Sequence, residues 1–325
     1  PPRRERVLTR AQIFAAAMIL YPVWYDPVGD RLCEIEEVIA QLAAEARAWR
    51  EDCEGYVAVG MRTWKRPHLK RAFGREVPLK FARRVPSGGP RKPVVWGMDE
   101  APEGTLRMED GFLRSRGLGA ALTPPLSLVL DRPTLYFDAS KSGRLDELIE
   151  ESGDLPVGEI RRADRLISRI RTGGLTKYNI LGGVPEIPSG AHHILVAGQV
   201  EDDASVTFGA GEVRTNLDLL RRAREANPEA TFLWKPHPDV EAGLRVGAVA
   251  TGDLEGLADI ALAHIGAAEA LELADEVWTI TSTLGFEGLI RGLPVTCLGM
   301  PFYAGRGLTT DMMERPPHRE GHEAS

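Results

Sequence analysis

Several things that would mark a function class are missing from this 325-residue chain. It has three cysteines, Cys33, Cys53 and Cys297, far apart and with no CxxC pair. That excludes a disulfide framework and a cysteine-based structural zinc site, and fits reduced thiols. Cys297 falls in the apolar run Pro294–Leu298 and reads as a small core residue. No apolar run approaches the ~18–20 residues of a membrane-spanning helix. The run Ala15–Leu20 is too short, and too poorly followed by a cleavage site, for a signal peptide. A cytoplasmic protein is therefore expected. Positive charge is not in excess either: the net charge is −7, where a general nucleic-acid binder is basic. No GxGxxG follows the first strand and no GxxxxGK[ST] occurs, which disfavours nicotinamide enzymes and P-loop nucleotidases.

What is present is a globular chain, 43% apolar, long enough for two domains. Residues 8–22 and 34–50 have helical spacing, with Thr9 as a cap and Ile35, Val38, Ile39 and Leu42 on one face. From Tyr56 onward, strand and helix signals alternate. Strands are expected at Tyr56–Gly60, Val77–Phe81, Val94–Gly97, Leu106–Met108, Leu126–Leu130 and Thr134–Phe137, and helices at Trp64–Phe73, 143–152 and 157–172. The Gly- and Pro-rich stretch Thr172–Gly190 reads as a linker. A second block has strands at His193–Ala197, Thr231–Lys235, Ile260–Leu262, Glu276–Ile280 and Val295–Leu298. Its helices are Val213–Ala226, Ala267–Leu273 and Leu284–Arg291, with Asn216 and Asn227 as end residues. Alternation of this kind predicts α/β architecture with parallel sheets. The expected division is a helical segment (1–54), a first lobe (55–185), a second lobe (186–311) and a tail (312–325), with a cleft between the lobes. An echo links Pro1–Glu5 to Pro316–Glu320, either by chance or because the chain is one module of a tandem pair.

Four motifs fall where strands hand over to loops, the ligand end of open α/β sheets. Lys235-Pro236-His237-Pro238 offers a cation and a directed donor beside a rigid turn, suited to phosphate; the plainer reading is a turn with an exposed histidine. Glu109-Asp110-Gly111-Phe112 puts a carboxylate over the cleft for general-base work or for a developing oxocarbenium ion, unless it is a solvated acidic turn. Gln199-Val200-Glu201-Asp202-Asp203 offers a metal site, a nucleophile with its partner, or an acidic helix cap; its spacing matches no standard metal loop. Thr281-Ser282-Thr283 opens a helix and suits an anion as readily as simple capping. In addition, Arg62 to Lys92 holds eleven Lys and Arg against one acid, Glu76. This basic stretch fits anionic headgroups, a negatively charged acceptor or a merely solvated face.

The longer strings are more specific. Glu109–Ser115, Gly117-Leu118-Gly119, Leu122–Val129, Gly198–Ser205, Lys235–Val240 and Pro301–Gly305 resemble the KpsC-type capsule polysaccharide transferases of Kdo, 3-deoxy-D-manno-oct-2-ulosonic acid. The likeness runs from about residue 8 to 311. It implies a GT-B-like fold of two Rossmann-like lobes, the first on the acceptor side and the second on the CMP-sugar side. It also implies transfer of Kdo from CMP-β-Kdo to a Kdo-terminated lyso-phospholipid at the inner-membrane surface. Family members carry tandem modules making β-2,4 and β-2,7 linkages. The stretch Leu20–Glu34 is similar to the join before the second module, and so to the β-2,7 assignment and a preceding module as partner. Donor and product are both β, so retention through a carboxylate adduct is implied. Candidate catalytic acids are Asp110, Asp203, Asp202 and Glu109, with nucleophile and base unassigned. Lys235, His237 and Pro238, with Ser282 and Thr283, are implied at the CMP phosphate or ribose, Gln199 at the donor, and Glu287 at ribose hydroxyls or simply on a helix face. Arg62, Lys65, Arg66 and Arg114 are expected to face acceptor or lipid. No metal, cofactor or nucleic acid is expected. Arg306 stands where the family pattern calls for Trp. The competing readings are a CMP-sialic-acid transferase and a non-catalytic lipid-docking module.

Overall fold

The computed structural model describes residues 7–74, 76–180, 182–183, 185–188 and 190–319. The echo between residues 1–5 and 316–320 therefore lies largely outside the described residues.

Two helices precede the body. Thr9 caps α1 (Arg10–Phe14) in a capping box with Gln12, and the chain then widens into a π-helical turn, Ala15–Leu20. A small antiparallel hairpin, β1 (Trp24–Asp26) and β2 (Arg31–Cys33), leads into α2 (Ile35–Asp52). Glu36 and Glu37 in its first turn and Arg50 in its last suit the helix dipole. Only Ile35 of α2 is buried; Ile39, Leu42 and Trp49 stay exposed. The hairpin had no signal in the sequence.

The first sheet contains β3 (Tyr56–Val59), β4 (Lys80–Ala82), β5 (Lys92–Trp96), β6 (Leu106–Asp110) and β7 (Leu128–Asp131), in the order β4-β3-β5-β6-β7. Helix α3 (Arg66–Phe73), entered through a 3₁₀ turn at Thr63–Lys65, supplies the crossover between β3 and β4. The expected strand at Val77–Phe81 thus starts later. The first three pairings are parallel, but β7 runs antiparallel to β6. No helix separates these two, so the chain doubles back instead of crossing over. Thr134–Phe137, expected as a strand, is a turn. Its backbone and Thr134 bond locally to Asp138, while Leu135 and Phe137 are buried without sheet pairing. Helices α4 (Arg144–Glu151) and α5 (Val157–Thr172) follow.

The second sheet is parallel throughout. Its strands are β8 (His193–Ala197), β9 (Thr231–Lys235), β10 (Ile260–Ala261), β11 (Glu276–Thr279), β12 (Val295–Cys297) and β13 (Thr310–Asp311), in the order β10-β9-β8-β11-β12-β13. Between them lie α6 (Ala204–Gly209), α7 (Asn216–Ala226), α8 (Pro238–Glu241), α9 (Thr251–Leu254), α10 (Ala267–Glu272) and α11 (Thr283–Arg291). The cap of α7 is Thr215, bonded to Asp218, and not Asn216, which is buried in the first turn. Apolar clusters fill both sheet faces, with Leu195, Leu233 and Val277 on one and Ile194, Phe232 and Trp278 on the other. Fully burying a side chain such as Phe232 is worth about 2–3 kcal/mol, and Cys297 belongs to this core as expected.

Candidate functional site

The carboxyl ends of both sheets open onto one cleft of about 830 Å³. Glu109 and Asp110 are the last two residues of β6, not a turn beyond it. Asp110 accepts from Arg114 Nε at 2.5 Å through Oδ2; its buried Oδ1 has no partner. Arg114, expected to face acceptor or lipid, lines the cleft, is 3% exposed and serves as this counter-ion. Glu109 Oε1 accepts from the Asp110 amide at 2.9 Å. Burial raises the Glu109 pKa, aided by the neighbouring Asp110 charge, and burial lowers that of Lys65, which sits 2.8 Å from the Trp96 ring centroid. Trp64 Nε1 is a second buried cleft atom with nothing to bond. Arg62 and Lys65 line the cleft, whereas Arg66 lies on α3 outside its wall.

The opposite wall comes from the second sheet. Directly after β8, Gly198 is needed for close approach: a Cβ there would lie 2.6 Å from Trp234 and 3.0 Å from the Lys235 carbonyl. Gln199 is buried, and its side-chain oxygen and one of its two N–H groups are bonded within the protein. Nε2 donates to Thr281 Oγ1 at 2.9 Å, and Oε1 accepts from the Thr281 amide at 2.8 Å and from Thr279 Oγ1 at 3.3 Å. Asn216 brackets the Gln199 backbone, accepting from its N–H and donating to its carbonyl. Gln199 therefore ties β8 to the loop that opens α11.

The three acids after Gln199 separate. Glu201 accepts from the Asn216 amide at 2.8 Å. Asp202 is exposed, pairs with Arg245 at 2.7 Å and does not line the cleft. Asp203 lines it while capping α6 through Ser205. Lys235 is buried and held by Glu241 at 3.2 Å and the Pro236 carbonyl at 3.0 Å; burial lowers its pKa. His237 Nδ1 accepts from the Asp239 amide at 3.1 Å, so in the neutral ring the proton is on Nε2. Burial, with Lys177 close by, pulls the His237 pKa down to about 3, so this ring is a neutral donor. Pro238 opens α8 behind it. Ser282 caps α11 by accepting from the Leu284 amide, and Thr283 is the helix's first residue, with both on the cleft wall.

Glu287 is buried, and its Oε1 accepts from the backbone N–H of Lys177 at 2.7 Å. Burial raises its pKa to about 7. Its partner lies in the segment that joins the two sheets. The Lys177 carbonyl accepts from Arg114 and Ser115, so this residue is bonded to both sides of the cleft. Lys177 and Trp64 were not singled out from the sequence: one lies in an aperiodic linker, the other at a helix start. Elsewhere between the sheets, Asp146 of α4 pairs with Arg306 and Arg319, and Arg306 also donates to the Phe302 carbonyl at 3.0 Å. Phe112 stacks on Phe302 with centroids 4.6 Å apart. Among the described residues, no three His, Cys, Asp or Glu side chains group as a metal site, and no helix is long and apolar enough to cross a membrane.

Residues 183–323 match the family model of the capsule polysaccharide biosynthesis proteins. The capsule polysaccharide modification protein LipA of Neisseria meningitidis serogroup A is 38% identical over 324 residues, covering 94% of this chain and 46% of LipA. The lipopolysaccharide-processing protein LpsZ of Rhizobium meliloti is 40% identical over 284 residues, covering 79% of this chain and 64% of LpsZ. Among solved structures, the KpsC β-Kdo 2,7 transferase of Thermosulfurimonas dismutans matches with TM-score 0.66 and 32% identity, over 83% of this chain and 86% of that one. The KpsC β-Kdo 2,4 transferase of the same organism matches with TM-score 0.70 and 29% identity, over 83% and 87%. The chain belongs to the KpsC-type capsule Kdo transferases. Its GT-B-like arrangement of two α/β units, one with a mixed sheet and one with a parallel sheet, behind a helical N-terminal region is that of these neighbours. The chain spans about half the length of the LipA proteins it matches.

Proposed function

We propose that this chain is a retaining glycosyltransferase that moves Kdo from CMP-β-Kdo to a Kdo-terminated lyso-phospholipid during capsule synthesis. The observation that carries the reading is the facing of Asp110, with an unpartnered Oδ1, and His237 with the α11 N-terminus across one cleft. In a member of this family, that arrangement supplies a carboxylate for the anomeric carbon and donors for a departing phosphate. Asp110 is the first nucleophile to test. Asp203 and Glu109 are the candidate bases; the raised pKa of Glu109 suits a group that takes up a proton near neutrality. The unit at 186–311 takes the CMP-sugar, and the unit at 55–185 the acceptor. Lys65 and Arg62 receive the acceptor's negative charge, while α3 with Arg66 faces an anionic membrane surface. The linkage we assign is β-2,7, on the 32% identity to the 2,7 transferase against 29% to the 2,4 transferase, whose TM-score of 0.70 is the higher of the two.

The test is incubation with CMP-Kdo generated in situ and a synthetic Kdo-terminated acceptor. The product is read by mass spectrometry, and its anomeric configuration and linkage by NMR. Addition of one Kdo in β-2,7 linkage supports the reading, and a β-2,4 product replaces the linkage alone. Turnover of CMP-sialic acid with none of CMP-Kdo removes the donor assignment. Binding to liposomes without any CMP release leaves only the docking module.

A further inference from the structure

The cleft holds several cations, and most are already spoken for. Arg114 donates to Asp110, Lys235 to Glu241 and Arg245 to Asp202. Lys65 lies against the Trp96 face. Lys177 differs. It lines the same cleft, and among the described residues no carboxylate oxygen comes within 4 Å of its ammonium. Its ammonium stands 5.5 Å from the Tyr178 ring centroid, and its electrostatic surroundings include Asp203 from one wall and Asp110 from the other. Burial works against its charge, but its neighbours, Tyr178 and Tyr136 first and then Asp203 and Asp110, raise its pKa, so it remains a cation. The backbone is fixed on both sides by Glu287 and by the amides of Arg114 and Ser115, which holds the side chain in place without using it.

We infer that Lys177 binds the carboxylate of the transferred sugar acid, and that this contact selects sugar acids over neutral sugars. In such a donor the carboxylate is carried on the anomeric carbon itself. The acids that act on the reaction must come within roughly 3–3.5 Å of their reacting atoms. A cation among those acids is within reach of a carboxylate on the same carbon, whereas the phosphate already has His237 Nε2 and the Thr283 amide, the first of α11. The inference rests on the donor reading above.

The test compares Lys177→Met and Lys177→Arg with wild type in kcat/KM for CMP-Kdo and in affinity for CMP alone by calorimetry. Because the bonds that residue 177 makes to both walls are main-chain, both variants should melt with wild type; if Met lowers the melting temperature, Lys177→Gln takes its place. The expected result is a loss of about 10²–10³-fold in kcat/KM for Met, partial recovery for Arg, and CMP affinity within about twofold of wild type. Two results overturn the inference: turnover by the Met variant within about threefold of wild type, or a fall in CMP affinity that matches the fall in kcat/KM, which would put Lys177 on the phosphate. A wild-type chain that ignores CMP-Kdo fails the donor reading instead. Wild-type turnover alongside an unimpaired Met variant fails this inference alone.

Discussion

The two walls of the cleft are built to opposite rules. On the second-sheet wall, polar groups largely satisfy one another: Gln199 with Thr281 and Thr279, Lys235 with Glu241, His237 Nδ1 with the Asp239 amide. On the first-sheet wall, Asp110 Oδ1 and Trp64 Nε1 are buried without partners. A buried polar atom without a partner costs about 1–3 kcal/mol. Such groups fit a wall completed by its substrate, as a saturated network fits one that holds its shape beforehand. Asp239 Oδ1 is the exception on the saturated side, and it too lies in the cleft lining.

Substitutions should separate the walls. The largest effect is expected for Asp110→Asn: Kdo transfer falls by about 10³-fold or more per folded molecule, and the melting temperature falls as well, because the buried Arg114 loses its counter-ion. An active variant, followed by mass spectrometry of the product, would move the chemistry to Asp203. Next, His237→Asn keeps a short side-chain acceptor for the α8 cap and loses Nε2. Its kcat/KM should drop about 10²-fold with little change in stability. Gln199→Leu should instead act on stability, by about 2–3 kcal/mol in urea unfolding, because it strands the buried Thr281 amide. If Gln199→Leu folded as stably as wild type but failed to bind CMP, the division between the walls would be wrong. The smallest effect concerns pH. Glu287 keeps its proton up to about 7 in the folded chain but only to its ordinary 4.5 when unfolded. Its contribution is complete below pH 4.5 and is lost as pH rises through 7. Melting temperatures of Glu287→Gln, measured between pH 4.5 and 7.5, should lack that part of the decline.

Much of the second sheet was legible because its strands are short apolar runs and its helices have clear periods and caps. Helix α5 matches its expected span of 157–172. The antiparallel turn of β7 was not legible, because strand direction depends on what joins two strands and the sequence there gives no period. The candidate acids and His237 were visible as polar residues after apolar runs. Their division of labour was not. Gln199 is committed to Thr281, 82 residues further on, and Glu287 to Lys177, 110 residues before it. Lys177 was invisible for the same reason: aperiodic linkers give no hint of which side chain folding will turn toward a cavity.

The Asp146 cluster bears on how such a chain can be cut. Arg319, 1% exposed, donates to the Pro301 and Ala304 carbonyls and pairs with Asp146 of α4. The last described turn therefore reaches back to α4, which precedes the second sheet in the chain. A cloning boundary drawn after β13, where the strand pattern ends, would discard this fastening and leave Asp146 and Arg306 as a lone pair. Expression trials that seek a minimal soluble fragment should carry residues through at least Arg319.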